Sequence, residues 1–139
     1  MNVFVDTNIL LEVILARQQV SDCSQILQAG VNNEVKLFAS PLSFANMAYI
    51  LHRSKIERRQ IYHIERTLEN IITVLQMDGA QLRMALAQEV KDFEDMMQYQ
   101  CALAGNCDCI LTINTVDFKE FSTLPIYEPK ELLNILNEL

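Results

Sequence analysis

Asn2-Val3-Phe4-Val5-Asp6-Thr7-Asn8-Ile9-Leu10-Leu11 stands at the start of the chain, and its reading decides the fold. Asn2 to Val5 is short, β-branched and aromatic, the composition of a strand buried at the centre of a sheet. Asp6 or Thr7 then supplies an N-cap, and the residues from Ile9 to about Ala16 predict a helix. A central strand that runs straight into a helix is expected to place whatever follows it, here Asp6, Thr7 and Asn8, at the carboxyl edge of the sheet.

The same alternation continues along the chain. A helix is expected over about Val20–Gly30, closed by Gly30 and the Asn32-Asn33 pair. Lys36–Ala39 reads as a second strand. Ser40-Pro41 is an N-cap followed by proline at the first helical position, opening a helix to about Arg53 with Phe44, Met47, Ala48 and Leu51 at helical spacing. Ser54 is expected to cap a helix over about Glu57–Asn70, before a third strand, Ile71–Leu75. Asp78 caps a helix to about Ala87. Lys91–Ala104 reads as a further helix, stopped by Gly105-Asn106. Asp108–Thr112 is a fourth strand, Asn114–Phe121 a loop with one helical turn, Ile126-Tyr127 a short last strand, and Pro129–Asn137 a closing helix. Strands alternating with helices predict a three-layer α/β/α arrangement, with a central, mostly parallel sheet of four to five strands and right-handed crossovers.

Composition narrows the function classes. The 139 residues are 50% hydrophobic, which suits one domain over 1–139 with a sizeable core. No repeat or composition break marks a second domain. Three Gly and three Pro argue against a turn-rich all-β chain. No apolar run approaches a membrane span, and the start has no basic n-region, so no membrane association and no signal peptide are expected. Cys23, Cys101, Cys107 and Cys109 then read as reduced, buried thiols of a cytoplasmic protein. Eighteen acidic against eleven basic residues give a net charge of −7, which by itself argues against a polybasic nucleic-acid binder. Carboxylates that hold metal ions are compatible with that charge.

In an open α/β sheet, sites lie beyond the carboxyl ends of the strands. That rule brings three acidic segments to one edge: Asp6 with Thr7 and Asn8 after the first strand, Asp92, Glu94 and Asp95 in the first turn of a helix, and Thr112, Asn114 and Asp117 after the fourth strand. Each acid has a plainer use, as an N-cap, as a favourable charge at a helix N-terminus or as a turn residue. Together they repel and titrate upward unless a cation holds them. Carboxylates and carboxamides are hard oxygen ligands suited to Mg²⁺ or Mn²⁺, and such a site activates water and holds charge developing on phosphate.

Val5 to Leu11 (Val-Asp-Thr-Asn-Ile-Leu-Leu), Asp92 to Gln98 (Asp-Phe-Glu-Asp-Met-Met-Gln) and the Thr112-x-Asn114-x-x-Asp117-Phe118 ending resemble, in order and spacing, the motifs of PIN domains, including VapC-type toxins. The resemblance covers essentially the whole chain. It implies an α/β fold with a compact acidic pocket and Mg²⁺- or Mn²⁺-dependent hydrolysis of RNA phosphodiester bonds. It also implies, for many members, an antitoxin partner and a homodimer. Carried over by position, Asp6 is the first metal-binding and catalytic acid, Asp95 the third with Asp92 and Glu94 beside it, and Asp117 a further acid. Asn114 stands where Asp is frequent, and Thr112 is a hydroxyl that helps order the pocket, with Asn8 in support. The usual second acid, a Glu, is replaced by Asn46. Because an amide supplies no charge, the alternative is a weak or inactive PIN-like module that binds RNA or protein without cutting.

Five of the eleven basic residues, Arg53, Lys55, Arg58, Arg59 and Arg66, fall between His52 and Arg66 and form a candidate RNA-binding face. Tyr49 and Tyr62 are candidates for stacking on bases. His52 and His63 read as solvated. A phosphotransfer domain also places Asp after its first strand, but Asn8 and the lack of paired acids before the first helix argue against it.

Overall fold

A computed structural model describes residues 1–138. Five strands, β1 (Asn2–Val5), β2 (Lys36–Ala39), β3 (Thr73–Val74), β4 (Cys109–Leu111) and β5 (Ile126–Tyr127), form one sheet in the order β3-β2-β1-β4-β5. All four pairings are parallel, so the sheet is wholly rather than mostly parallel. The helices are α1 (Thr7–Ile14), α2 (Val20–Val31), α3 (Pro41–Arg53), α4 (Arg58–Ile71), α5 (Gly79–Gln88), α6 (Phe93–Ala104), α7 (Thr115–Lys119) and α8 (Pro129–Asn137).

The strands divide their side chains between two cores with a period of two. Val3, Val5, Leu37, Ala39, Cys109 and Leu111 pack under α1–α4 and α8, against Ile9, Ile26, Met47, Leu51 and Leu132. Phe4 and Ile110 point the other way, into the layer of Met96, Tyr99, Cys101, Phe118 and Ile126 from α6, α7 and β5. This is the three-layer α/β/α arrangement. Phe4, Ile110 and Leu111 are fully buried, and burying side chains of this size stabilises the fold by about 1.5–3 kcal/mol each. The four cysteines are free thiols, all buried, and burial pushes the Cys23, Cys107 and Cys109 thiols up to about 12. His52 and His63 are exposed.

Three local expectations need correction. The third strand is only Thr73–Val74, because Ile71 stays in α4. There it extends the apolar stripe of Ile61, Ile64 and Leu68, all of which pack on the core. Ser54 does not cap α4. It closes α3, where its hydroxyl donates to the Ile50 carbonyl at 2.9 Å, and Glu57 is the N-cap of α4. The segment after β4 folds into the short helix α7 rather than remaining mainly loop. Among the described residues, no helix is long and apolar enough to cross a membrane.

β1 and β4 are neighbours, yet the chain first leaves β1 for β2 on the other side. The sheet order therefore reverses between β1 and β4, and the carboxyl ends of these two strands flank the crevice where open α/β folds hold ligands.

Candidate metal centre

Asp6 directly follows β1 and caps α1, with its Oδ1 accepting from the Thr7 backbone N–H at 2.8 Å. Its own N–H donates to the Leu111 carbonyl at 2.9 Å, tying it to β4. The residue just after that strand, Thr112, donates its hydroxyl to Asp6 Oδ2 at 2.8 Å. Thr112 Oγ1 also accepts from Asn8 Nδ2 at 3.3 Å and from the Asn114 N–H at 3.1 Å, while Asn8 Oδ1 accepts from the Ile113 N–H at 3.3 Å. Thr112 is thus the hub that joins the β1 and β4 termini. Thr7 Oγ1 is buried without a hydrogen-bond partner among the described residues.

The second set of acids comes from the start of α6. Asp92 is its N-cap, accepting from the Asp95 N–H at 3.0 Å, and Glu94 and Asp95 occupy the first turn. Single oxygens of Asp6, Glu94 and Asp95 lie within 4.8 Å of one another, and a second group of the same span joins Asp92, Asp95 and Asp117. Asp95 belongs to both. Burial pushes its carboxyl up to about 8, reinforced by the charges of Asp6, Asp92, Glu94 and Asp117. Burial likewise raises Asp6 to about 6, against the lowering effect of the Thr112 bond, and raises Glu94.

Asn46, on α3, reaches the same cluster, donating Nδ2 to Glu94 Oε1 at 3.0 Å. Gln98, one turn beyond Glu94, donates to the same oxygen at 3.2 Å. Asp6, Asn8, Asn46, Asp92, Glu94 and Asp95, together with Asn114 and Asp117, line one cleft of about 440 Å³. The sequence-predicted acids therefore meet. The same cleft is lined by Arg17, Tyr49 and Leu11, which sequence reasoning did not assign to it. Arg17 lies in the turn after α1, where no periodic signal points to a cleft. Gln98 was also missed. Its sequence cues are its place at the end of the Asp92–Gln98 motif and its position four residues after Glu94, the spacing of helix neighbours.

The predicted basic face stands apart from the acids. Arg58, Arg59 and Arg66 share a separate depression with Glu57 and Tyr62. Arg53 stacks over the ring of Tyr49 at 5.8 Å, and Arg66 over Tyr62 at 5.6 Å. Lys55 is exposed in the turn between α3 and α4. Among the described residues, Tyr49, 61% exposed, is the one that both touches the acidic cleft and carries an Arg from the basic stretch.

A family profile described as the PIN domain matches residues 2–116. The chain belongs to the PIN domain family. Three solved structures share this PIN fold. One is VapBC2 from Rickettsia felis bound to a DNA fragment from its promoter, with a TM-score of 0.66, 18% identity, and coverage of 92% of this chain and 98% of that one. VapBC-1 from nontypeable Haemophilus influenzae has a TM-score of 0.66 at 18% identity, over 94% and 99% of the two chains. A toxin–antitoxin complex from Klebsiella pneumoniae has a TM-score of 0.65 at 19% identity, over 91% and 97%. Among curated proteins none matches.

Membership of the PIN family supports a nuclease. The donor set of this PIN domain also suits a divalent cation. Its oxygens are hard ligands, close enough to share one ion, and the neighbouring charges that add to burial in raising Asp6 and Asp95 are ones a cation would offset.

Proposed function

We propose that this PIN domain, spanning residues 1–139, is a Mg²⁺- or Mn²⁺-dependent endoribonuclease of the cytoplasm, the toxin component of a toxin–antitoxin pair. The observation that carries the reading is the convergence of Asp6, Glu94 and Asp95 within 4.8 Å at the β1/β4 crevice. Asp6, Asp95 and Asp117 are the catalytic, cation-holding residues, with Asn114 as a neutral ligand. The chemistry supplied by a bound Mg²⁺ or Mn²⁺ is activation of a water nucleophile and neutralisation of charge developing on the phosphate.

The chain's own groups prepare that chemistry. Thr112 and the Thr7 N–H fix one carboxylate oxygen of Asp6 each. Asn8 holds Thr112 in turn. Arg17 is the cation of the cleft wall, suited to orient an RNA phosphate. Tyr49 offers an exposed ring at the cleft edge for stacking an unpaired base, and Arg53, Lys55, Arg58 and Arg59 extend the path as backbone contacts. The structures named above carry VapBC and toxin–antitoxin complexes in their descriptions. We extend that to this chain as an antitoxin partner, and take the homodimer from the family resemblance alone.

The test is cleavage of RNA in Mg²⁺ or Mn²⁺ by the wild type against a variant carrying Asp6→Asn and Asp95→Asn. Loss of cleavage in the variant is expected. Equal activity in both, or none in either, overturns the reading. The neutral Asn46 favours the second reading, a PIN-like module that binds RNA or protein without cutting, and RNA affinity retained without cleavage or cation uptake would establish it.

A further inference from the structure

We infer that Glu94 is a carboxylate ligand of the cation site and that Asn46 and Gln98 are the positioning residues that hold it there. This rests on the nuclease reading above. Glu94 lies in the first turn of α6, and its side chain is only half-buried, a location from which an acid crowded by Asp6 and Asp95 is free to swing into water. Instead it is held against them by two amide donors. Asn46 Nδ2 reaches Glu94 Oε1 from α3 at 3.0 Å, and Gln98 Nε2 reaches the same oxygen from α6 at 3.2 Å. Both donors converge on Oε1, and Oε2 accepts no hydrogen bond among the described residues.

Gln98 is the stiffer of the two. It is fully buried in mid-helix, where an amide side chain needs partners for every polar atom. Its Oε1 accepts from the Ser40 hydroxyl at 2.6 Å, and its Nε2 donates to Ser43 Oγ at 2.9 Å as well as to Glu94. Ser40 is itself pinned as the N-cap of α3, accepting from the Ser43 N–H at 3.1 Å. With its oxygen taken by Ser40, the Gln98 amide must turn its nitrogen toward Ser43 and Glu94. The network runs from α3 to α6 beneath the cleft, and Glu94 is its sole charged member.

The experiment titrates the full chain with Mn²⁺ in a calorimeter and records thermal unfolding in EDTA alongside. Glu94→Gln is expected to weaken Mn²⁺ at least about 100-fold, and Asn46→Ala and Gln98→Met about tenfold each, the low end of the range for groups that orient metal ligands. Because the amides act through Glu94, adding Asn46→Ala to Glu94→Gln is expected to weaken Mn²⁺ no further. Wild-type affinity in Glu94→Gln, or losses that add in the double variant, overturns the inference. If Gln98→Met unfolds, Asn46→Ala carries the same comparison at a half-buried position. Loss of Mn²⁺ binding in Asp6→Asn with none in Glu94→Gln defeats this inference alone. A wild type that takes up no Mn²⁺ defeats it together with the nuclease reading.

Discussion

Thr112 Oγ1 donates to Asp6 Oδ2 at 2.8 Å, across 106 residues of sequence and one pair of neighbouring strands. The bond closes the crevice between β1 and β4 and opposes the burial that raises the Asp6 carboxyl. Replacing Thr112 with Val keeps the shape and removes the donor. The Asp6 pKa should rise further and the protein lose about 1–2 kcal/mol, as when a buried acceptor loses its partner. Mn²⁺ affinity should fall about 10- to 100-fold. Denaturant unfolding and calorimetry check the two effects separately.

The raised acids make stability depend on pH in a defined direction. Asp95 titrates at about 8 in the fold against an ordinary value of 3.8, and Asp6 at about 6. Between the ordinary and the folded values the native state binds more protons than the unfolded chain, so the stability tied to these protons is complete below 3.8 and is lost as pH rises through 8. In EDTA, the melting temperature should be at least about 3 °C lower at pH 8 than at pH 5. Millimolar Mg²⁺ competes with those protons, so it should raise the melting temperature more at pH 8 than at pH 5. A melting temperature that climbs with pH in EDTA over this interval would contradict the assignment.

The same burial and crowding of charge set function against stability. Asp95→Asn removes the charge shared by both acidic groups. It should raise the melting temperature in EDTA at pH 8 by about 2–5 °C while lowering RNA cleavage at least about 100-fold. Melting curves and single-turnover cleavage on one preparation check both halves.

Much of this site was legible in the sequence because it is built from chain segments next to strands. Asp6 and Thr112 each follow a short apolar strand, and the rule that ligands gather at the carboxyl edge is enough to bring them together. Asp92 and Asp95 were legible as acids opening a helix. Gln98 was not, because a glutamine between methionines and a tyrosine reads as an ordinary helix residue. Its value comes from Ser40 and Ser43, which only the packing of α3 on α6 brings near. Arg17 was hidden in the same way, as a turn residue with no period. β3 was overdrawn because Ile71 suits a strand locally, whereas its packing as part of α4 decided the outcome.

The two sets of basic residues should separate in their effects. Arg17 lines the acidic cleft, whereas Arg58 and Arg59 lie in a different depression. Arg17→Ala should lower single-turnover cleavage more than RNA affinity. Arg58→Ala with Arg59→Ala should weaken RNA binding and reduce the salt slope by about 1.4, the value for two lost contacts on a single strand. Filter binding over a salt series, paired with cleavage at saturating enzyme, distinguishes them.

Asp92 has two duties that substitution can split. Its Oδ1 caps α6 through the Asp95 N–H, and its charge helps raise the Asp95 carboxyl. Asparagine caps about as well as aspartate, so Asp92→Asn should leave the helix start intact while lowering the Asp95 pKa. Asp92→Ala loses the charge and the cap alike. Both variants should therefore show less loss of stability between pH 5 and pH 8 in EDTA than the wild type. Only Asp92→Ala should also lose about 1 kcal/mol near pH 5, where the Asp95 carboxyl is largely protonated. Denaturant unfolding of the three proteins at the two pH values gives both numbers. A pH dependence unchanged in Asp92→Asn would show that Asp92 does not act on Asp95 through its charge.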